Sequence, residues 1–105
     1  MTTWLVSRHP GAQVWINRQG IKCDRVVSHL DTSQVRAGDT VIGTLPMQAA
    51  AQIHAQDATY LHLTVALPAS RRGTELSADD LDALGAQLRP CRVELGEAIE
   101  NPPHS

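Results

Sequence analysis

Ser7, Arg8, His9, Pro10 and Gly11 follow one another directly in the chain. They supply a hydroxyl, a planar five-donor cation, an imidazole that titrates near neutral pH, and a Pro-Gly break. A helix starting there would add unpaired backbone N–H groups and a partial positive charge. Together these groups suit an anion, and a phosphate in particular. The alternative is a Pro-Gly turn with solvated side chains, since the segment is neither a Walker loop nor GxGxxG. Gly43-Thr44 is a second candidate. The glycine lets a ligand approach the backbone closely, and the threonine hydroxyl can donate to phosphate; the alternative is a strand-to-helix turn capped by Thr44. Arg71-Arg72-Gly73 is a third, because two arginines can clamp a phosphodiester; the alternative is a solvated loop.

Other chemistries find less support. His9, His29, His54 and His62 share no HxH or HxxxH spacing, so no metal site and no cofactor are expected. Ser7, His29 and Asp31 are present without a GxSxG elbow, which argues against a Ser-His-Asp hydrolase. Cys23 and Cys91 form no CxxC and read as free thiols in a reducing cytoplasm.

The elements that must position these groups alternate between strand and helix. TWLVS, Thr3 to Ser7, reads as a short buried strand. Gly11 to Gln19 reads as a helix with Ala12, Trp15 and Ile16 on one face and Gly20 as its stop. Arg25 to Leu30 is the second strand. Asp31 to Ala37 is a connector with room for one helical turn. Thr40 to Leu45 is the third strand and the most hydrophobic, hence central. Pro46 suits the first turn of a second helix, striped by Met47, Ala50, Ala51 and His54.

Tyr60 to Leu67 is the fourth strand. Leu61, Leu63, Val65 and Leu67 share one face, while Tyr60, His62, Thr64 and Ala66 share the other. After the loop from Pro68 to Glu75, Ser77 caps a third helix. Asp80 stands in the capping-box position, Leu76 and Leu81 form a staple, and Leu81, Leu84 and Leu88 form the stripe. Arg92 to Leu95 is the expected edge strand. This alternation predicts an α/β fold, a mostly parallel sheet flanked by helices, with ligands bound beyond the carboxyl ends of the strands. The three candidate segments all fall there.

A chain of 105 residues suits one domain, expected over residues 1–95, with 96–105 as a disordered tail. The net charge of −2 argues against a groove for long nucleic acid. Residues 1–52 carry five basic and three acidic groups, and residues 53–105 four basic and eight acidic. A local anion site is compatible with that split. No window is long and apolar enough to span a bilayer, and no signal peptide is apparent, so no membrane partner is expected and the chain reads as cytoplasmic.

The runs TWLVSRHPGA, VVSHLD, GDTVIGTLP, YLHL and RGTELSADDL closely resemble a small CRISPR-associated family of type III systems. It is the family numbered sixteen in the Csx naming series, and the resemblance covers residues 3–93. It implies a fold akin to the Rossmann-like (CARF-related) sensor domains that bind cyclic oligoadenylates, usually as homodimers. It also implies a ring nuclease, which linearises cyclic tetra-adenylate and switches off antiviral signalling. Carried onto this sequence, Arg8 would stabilise the transition state and His9 would act as general acid or base. Ser7, Gly11, Gly43 and Thr44 would position phosphate. Arg71 or Arg72 would close over the ring, and Asp31 would contact a sugar or adenine. Tyr60, His62 and Thr64 form a candidate subunit contact. The same anion site would equally serve a protein that sequesters the ring without cutting it. A structural or adaptor protein of the effector complex is the third reading, and its marker would be a large exposed apolar patch.

Overall fold

The computed structural model describes residues 1–66, 68–71, 73, 75–97 and 99. Its five strands are β1 (Thr3–Val6), β2 (Arg25–Val27), β3 (Thr40–Gly43), β4 (Thr59–Thr64) and β5 (Gln87–Cys91). They form one sheet in the order β2-β1-β3-β4-β5. β1 to β4 run parallel, and β5 pairs antiparallel with β4. The α/β architecture is the expected one, with β3 in the middle of the sheet.

Alternation along the strands sends side chains to two cores. In register across the sheet, Trp4, Val41 and Tyr60 point to one face, and Leu5, Ile42 and Leu61 to the other. The second face is covered by α1 (Pro10–Arg18) and α3 (Ala78–Ala83). Ala12, Trp15 and Ile16 lie at helical spacing and are buried, as expected. The first face is covered by α2 (Met47–Ala55), which buries Ala50 and Ile53. The α2 stripe therefore departs from the expected one. Met47, the first residue of α2, is 67% exposed. Ile53, three residues after Ala50, supplies the apolar bulk.

The third helix begins as expected. Ser77 Oγ accepts from the Asp80 N–H at 3.1 Å, and Asp80 Oδ2 accepts from the Ser77 N–H at 3.0 Å. It ends sooner than its leucines suggest. Gly85 sits at φ 72°, a left-handed conformation that turns the chain back toward the sheet. Leu88 consequently belongs to β5, opposite Leu63, and not to a helical stripe. The edge strand is thus Gln87–Cys91 rather than Arg92 to Leu95. Pro90 is accommodated in it because edge strands tolerate a missing N–H.

All four parallel strands are shorter than expected at their carboxyl ends, β1 stopping at Val6 rather than Ser7. β2 stops at Val27, where β1, its neighbour among the described residues, also ends. β3 stops at Gly43, and β4 at Thr64. Tyr60, expected at a subunit contact together with His62 and Thr64, is instead 3% exposed and packs under α2 within the chain's own core. Leu67, Arg72 and residues 98 and 100–105 of the expected tail lie outside the described residues.

At the amino ends of the strands the buried Asp39 takes three donors. Its carboxylate accepts from the Thr2 N–H at 2.8 Å, the Arg36 N–H at 3.0 Å and the Trp4 indole at 3.3 Å. No helix among the described residues is long and apolar enough to cross a membrane.

Candidate functional site

α1 leaves β1 for β2 over one face of the sheet, and α2 leaves β3 for β4 over the other. The adjacent carboxyl ends of β1 and β3 therefore diverge, and open α/β sheets bind ligands in that crevice. A cavity of about 350 Å³ lies there. Val6, Ser7, Arg8 and His9 bring β1 and its loop to the wall, Gly43 and Thr44 bring the end of β3, and Ser28 follows β2. Ala12, Leu63, Val65, Leu76 and Leu81 make an apolar floor. Among the described residues no carboxylate lines the cavity. Its polar side is a guanidinium, an imidazole and hydroxyls, which favours an anion, while the floor can take an apolar or aromatic ring.

Local hydrogen bonds shape the Ser7–Gly11 loop. Ser7 Oγ accepts from the His9 N–H at 3.0 Å, an ST-turn that sets His9 at the start of α1. Pro10 has no N–H, and the Ala12 N–H turns onto the His9 carbonyl at 3.1 Å. The helix end therefore offers fewer open N–H groups than the motif alone suggests, and side chains carry more of the anion attraction. Arg8 Nη2 lies 2.8 Å from His29 Nε2.

The two candidate glycines permit close backbone contacts. A Cβ on Gly43 would lie 2.7 Å from the Val6 carbonyl oxygen, so only glycine lets the ends of β1 and β3 meet this closely. A Cβ on Gly11 would overlap the Leu76 carbonyl oxygen. Gly11 thus sits where α1 passes the Leu76-Ser77 backbone, outside the cavity lining. Thr44 Oγ1 donates to the Leu63 carbonyl at 3.3 Å, tying the β3 turn to β4.

Asp31 is also placed away from the lining. It caps the 3-10 turn Thr32–Gln34, accepting from Ser33 Oγ at 2.6 Å and from the Ser33 N–H at 3.0 Å. The Ser33 hydroxyl bond, with the backbone bond beside it, holds the Asp31 carboxyl below the usual carboxylate range. Arg71 ends the 3-10 turn Ala69–Arg71 after β4. Its neighbour Arg72 lies outside the described residues.

Sequence reasoning missed two supports. One is His29, beyond β2, which meets Arg8. The other is Tyr60, whose hydroxyl accepts from the Leu45 N–H at 2.8 Å and donates to the Gly43 carbonyl at 3.1 Å. His62 Nδ1 lies 2.6 Å from the same oxygen. Burial raises the phenol's pKa, keeping it a hydroxyl that can both donate and accept. The only signal for this role was alternation, which placed Tyr60 and His62 on one face of β4. Replacing Tyr60 by Phe is expected to cost about 1–3 kcal/mol of stability by leaving the Leu45 N–H and Gly43 carbonyl without their partner. Urea denaturation of the two proteins measures this directly.

Among the described residues no cluster of three or more His, Cys, Asp or Glu side chains could hold a metal ion. No curated protein and no solved structure is significantly similar to the chain. A protein-family model described as "Putative CRISPR-associated protein (Cas_VVA1548)" matches residues 4–94, a span that holds the cavity lining and, but for Thr3, all five strands, and the chain belongs to that CRISPR-associated family.

Proposed function

We propose that this protein binds cyclic tetra-adenylate and linearises it, without a metal, at the cavity between β1 and β3. Membership of a CRISPR-associated family supports a role in antiviral defence. The resemblance to the type III family supports the choice of ring. The observation that carries the chemistry is that neighbouring Arg8 and His9 both line a cavity with an apolar floor and, among the described residues, no carboxylate. A phosphodiester would lie against the rim and an adenine face against the floor.

In the proposed reaction a ribose 2′-hydroxyl attacks its own neighbouring phosphorus. The 2′-oxygen–phosphorus bond forms and the bond to the 5′-oxygen breaks. The 2′-hydroxyl proton leaves to a base, and the departing 5′-oxygen takes one up. The products are a 2′,3′-cyclic phosphate and a 5′-hydroxyl. The nucleophile is tethered to its target, so orientation supplies much of the acceleration. Arg8 stabilises charge on the phosphorane-like transition state. His9 carries the proton, a contribution of about 10²–10⁴-fold. Ser7, Thr44 and the Gly43 backbone position the phosphate. Gly11 acts indirectly, by seating α1 against Leu76, and Arg71 or Arg72 closes the open side. Two copies would meet a ring of two-fold symmetry with the same groups.

The test is incubation with cyclic tri-, tetra- and hexa-adenylate in excess chelator, at substrate in excess over protein, with products resolved by chromatography. Linear products with a 2′,3′-cyclic phosphate from the tetra-adenylate ring are expected. Cleavage that requires added divalent metal would refute the mechanism. A ring that is bound yet intact throughout would make the protein a sequestering module.

A further inference from the structure

The pair Arg8–His29 fixes a chemical detail that distances alone do not. A guanidinium is always charged and has five N–H donors and no acceptor. At 2.8 Å from Arg8 Nη2, His29 Nε2 must therefore be the acceptor. The His29 ring is then neutral and carries its proton on Nδ1, the less common tautomer of a free imidazole.

The backbone brings the two residues together. The Ser7 N–H donates to the Val27 carbonyl at 2.9 Å, so the loop after β1 and the segment after β2 leave the sheet side by side. Ser28, between Val27 and His29, lines the same cavity as Arg8. Both paired side chains are in exposed residues. An unheld arginine there would sample many rotamers, and ordering it would oppose each binding event.

We propose that His29 is the positioning residue for Arg8: its Nε2 holds one N–H of the guanidinium and leaves the others aimed at the cavity for the phosphodiester. This role rests on the ring-cleavage reading for its consequence in rate, but the pairing itself does not. His29 touches no reacting atom. It acts by keeping Arg8 in the orientation that the transition state needs.

Two measurements test the pairing and its consequence separately. The first is the tautomer of His29, read from long-range ¹H–¹⁵N NMR spectra at mildly alkaline pH. The Nδ1–H form is expected in the wild-type protein, with a shift toward Nε2–H in Arg8→Ala. The second is a mutant cycle on single-turnover cleavage of cyclic tetra-adenylate. His29→Ala is expected to lose about tenfold, the low end for a hydrogen bond to a charged group because the pair is exposed. His29→Gln places an amide oxygen near the Nε2 position and is expected to recover most of that loss. In an Arg8→Ala background, His29→Ala should change nothing further.

An Nε2–H tautomer in the wild-type protein, or losses from Arg8→Ala and His29→Ala that multiply, would overturn the proposal. If the wild-type protein leaves every ring intact, the proposed function falls, and the tautomer still decides whether His29 holds Arg8.

Discussion

Arg8→Ala is expected to slow single-turnover cleavage of cyclic tetra-adenylate by about 10²–10³ while the protein stays folded. Arg8 lines the cavity, and its side chain hydrogen-bonds His29. No packing core depends on it. Its loss removes a charge-assisted donor that acts mainly on the transition state, equivalent to about 2.7–4 kcal/mol. The companion variant, His9→Ala, should bind the ring almost as well as wild type if His9 serves the proton in transit rather than the bound phosphate. It should flatten the pH–rate profile if His9 transfers a proton. Equilibrium binding beside the pH–rate series separates the two roles. Near-wild-type rates in both variants would move the chemistry to the Gly43-Thr44 turn and the Arg71-Arg72 loop.

Asp39→Ala is expected to be the most damaging change to stability. Three donors converge on this buried carboxylate, from Thr2, Arg36 and the Trp4 indole. Removing it strands them near the bottom of the sheet, and one stranded donor typically costs about 1–3 kcal/mol. A total loss of about 3–5 kcal/mol follows, enough to unfold a marginal domain of this size.

Acid should reproduce part of the effect. The Arg36 N–H bond, helped by the Thr2 and Trp4 bonds and opposed by burial, holds the Asp39 carboxyl below its ordinary value. A folded pKa below the unfolded one means that the native state binds its proton less readily. The stabilisation is therefore complete above the unfolded carboxylate value, about 4, and is lost as pH falls through the depressed folded value. Asp39→Asn keeps an acceptor and cannot ionise. It should be milder than Asp39→Ala and should lack this acid-sensitive component. Urea midpoints from neutral to strongly acidic pH check both the size and the sign.

The order of elements was legible because it depends on local pattern. Ala12, Trp15 and Ile16 have helical spacing, Tyr60 to Leu63 alternate, and Ser77 with Asp80 spells a capping box. The misread elements share a different cause. Leu84 and Leu88 continue the helical spacing of Leu81, but the left-handed Gly85 ends the helix between them and returns Leu88 to the sheet. Strand ends were placed too late because pairing, not side-chain type, sets where a strand stops. His29 and Leu30 have ordinary strand-like character, yet β1 offers them no partner.

The candidate site shows the same division. Placing the Ser7–Gly11 and Gly43-Thr44 segments at the carboxyl ends of parallel strands needed only topology. The meeting of Arg8 and His29 is a contact across 21 residues, and the anchoring of the Gly43–Leu45 turn by Tyr60 is a contact across 15 to 17. Neither leaves a periodic trace in the sequence.

The two lateral borders of the sheet bear on how the protein behaves when concentrated. One border is β2, only three residues long, and the other is β5, where Pro90 removes a backbone donor. Short borders and proline are the devices by which natural sheets resist edge-to-edge growth. Neither side offers a long, regular row of N–H and C=O groups to an incoming strand. The sheet is therefore poorly suited to recruit further strands into an amyloid-like stack. High-yield expression should be limited by the exposed side chains of Met47, Leu95 and Ile99 before it is limited by ribbon-like aggregation.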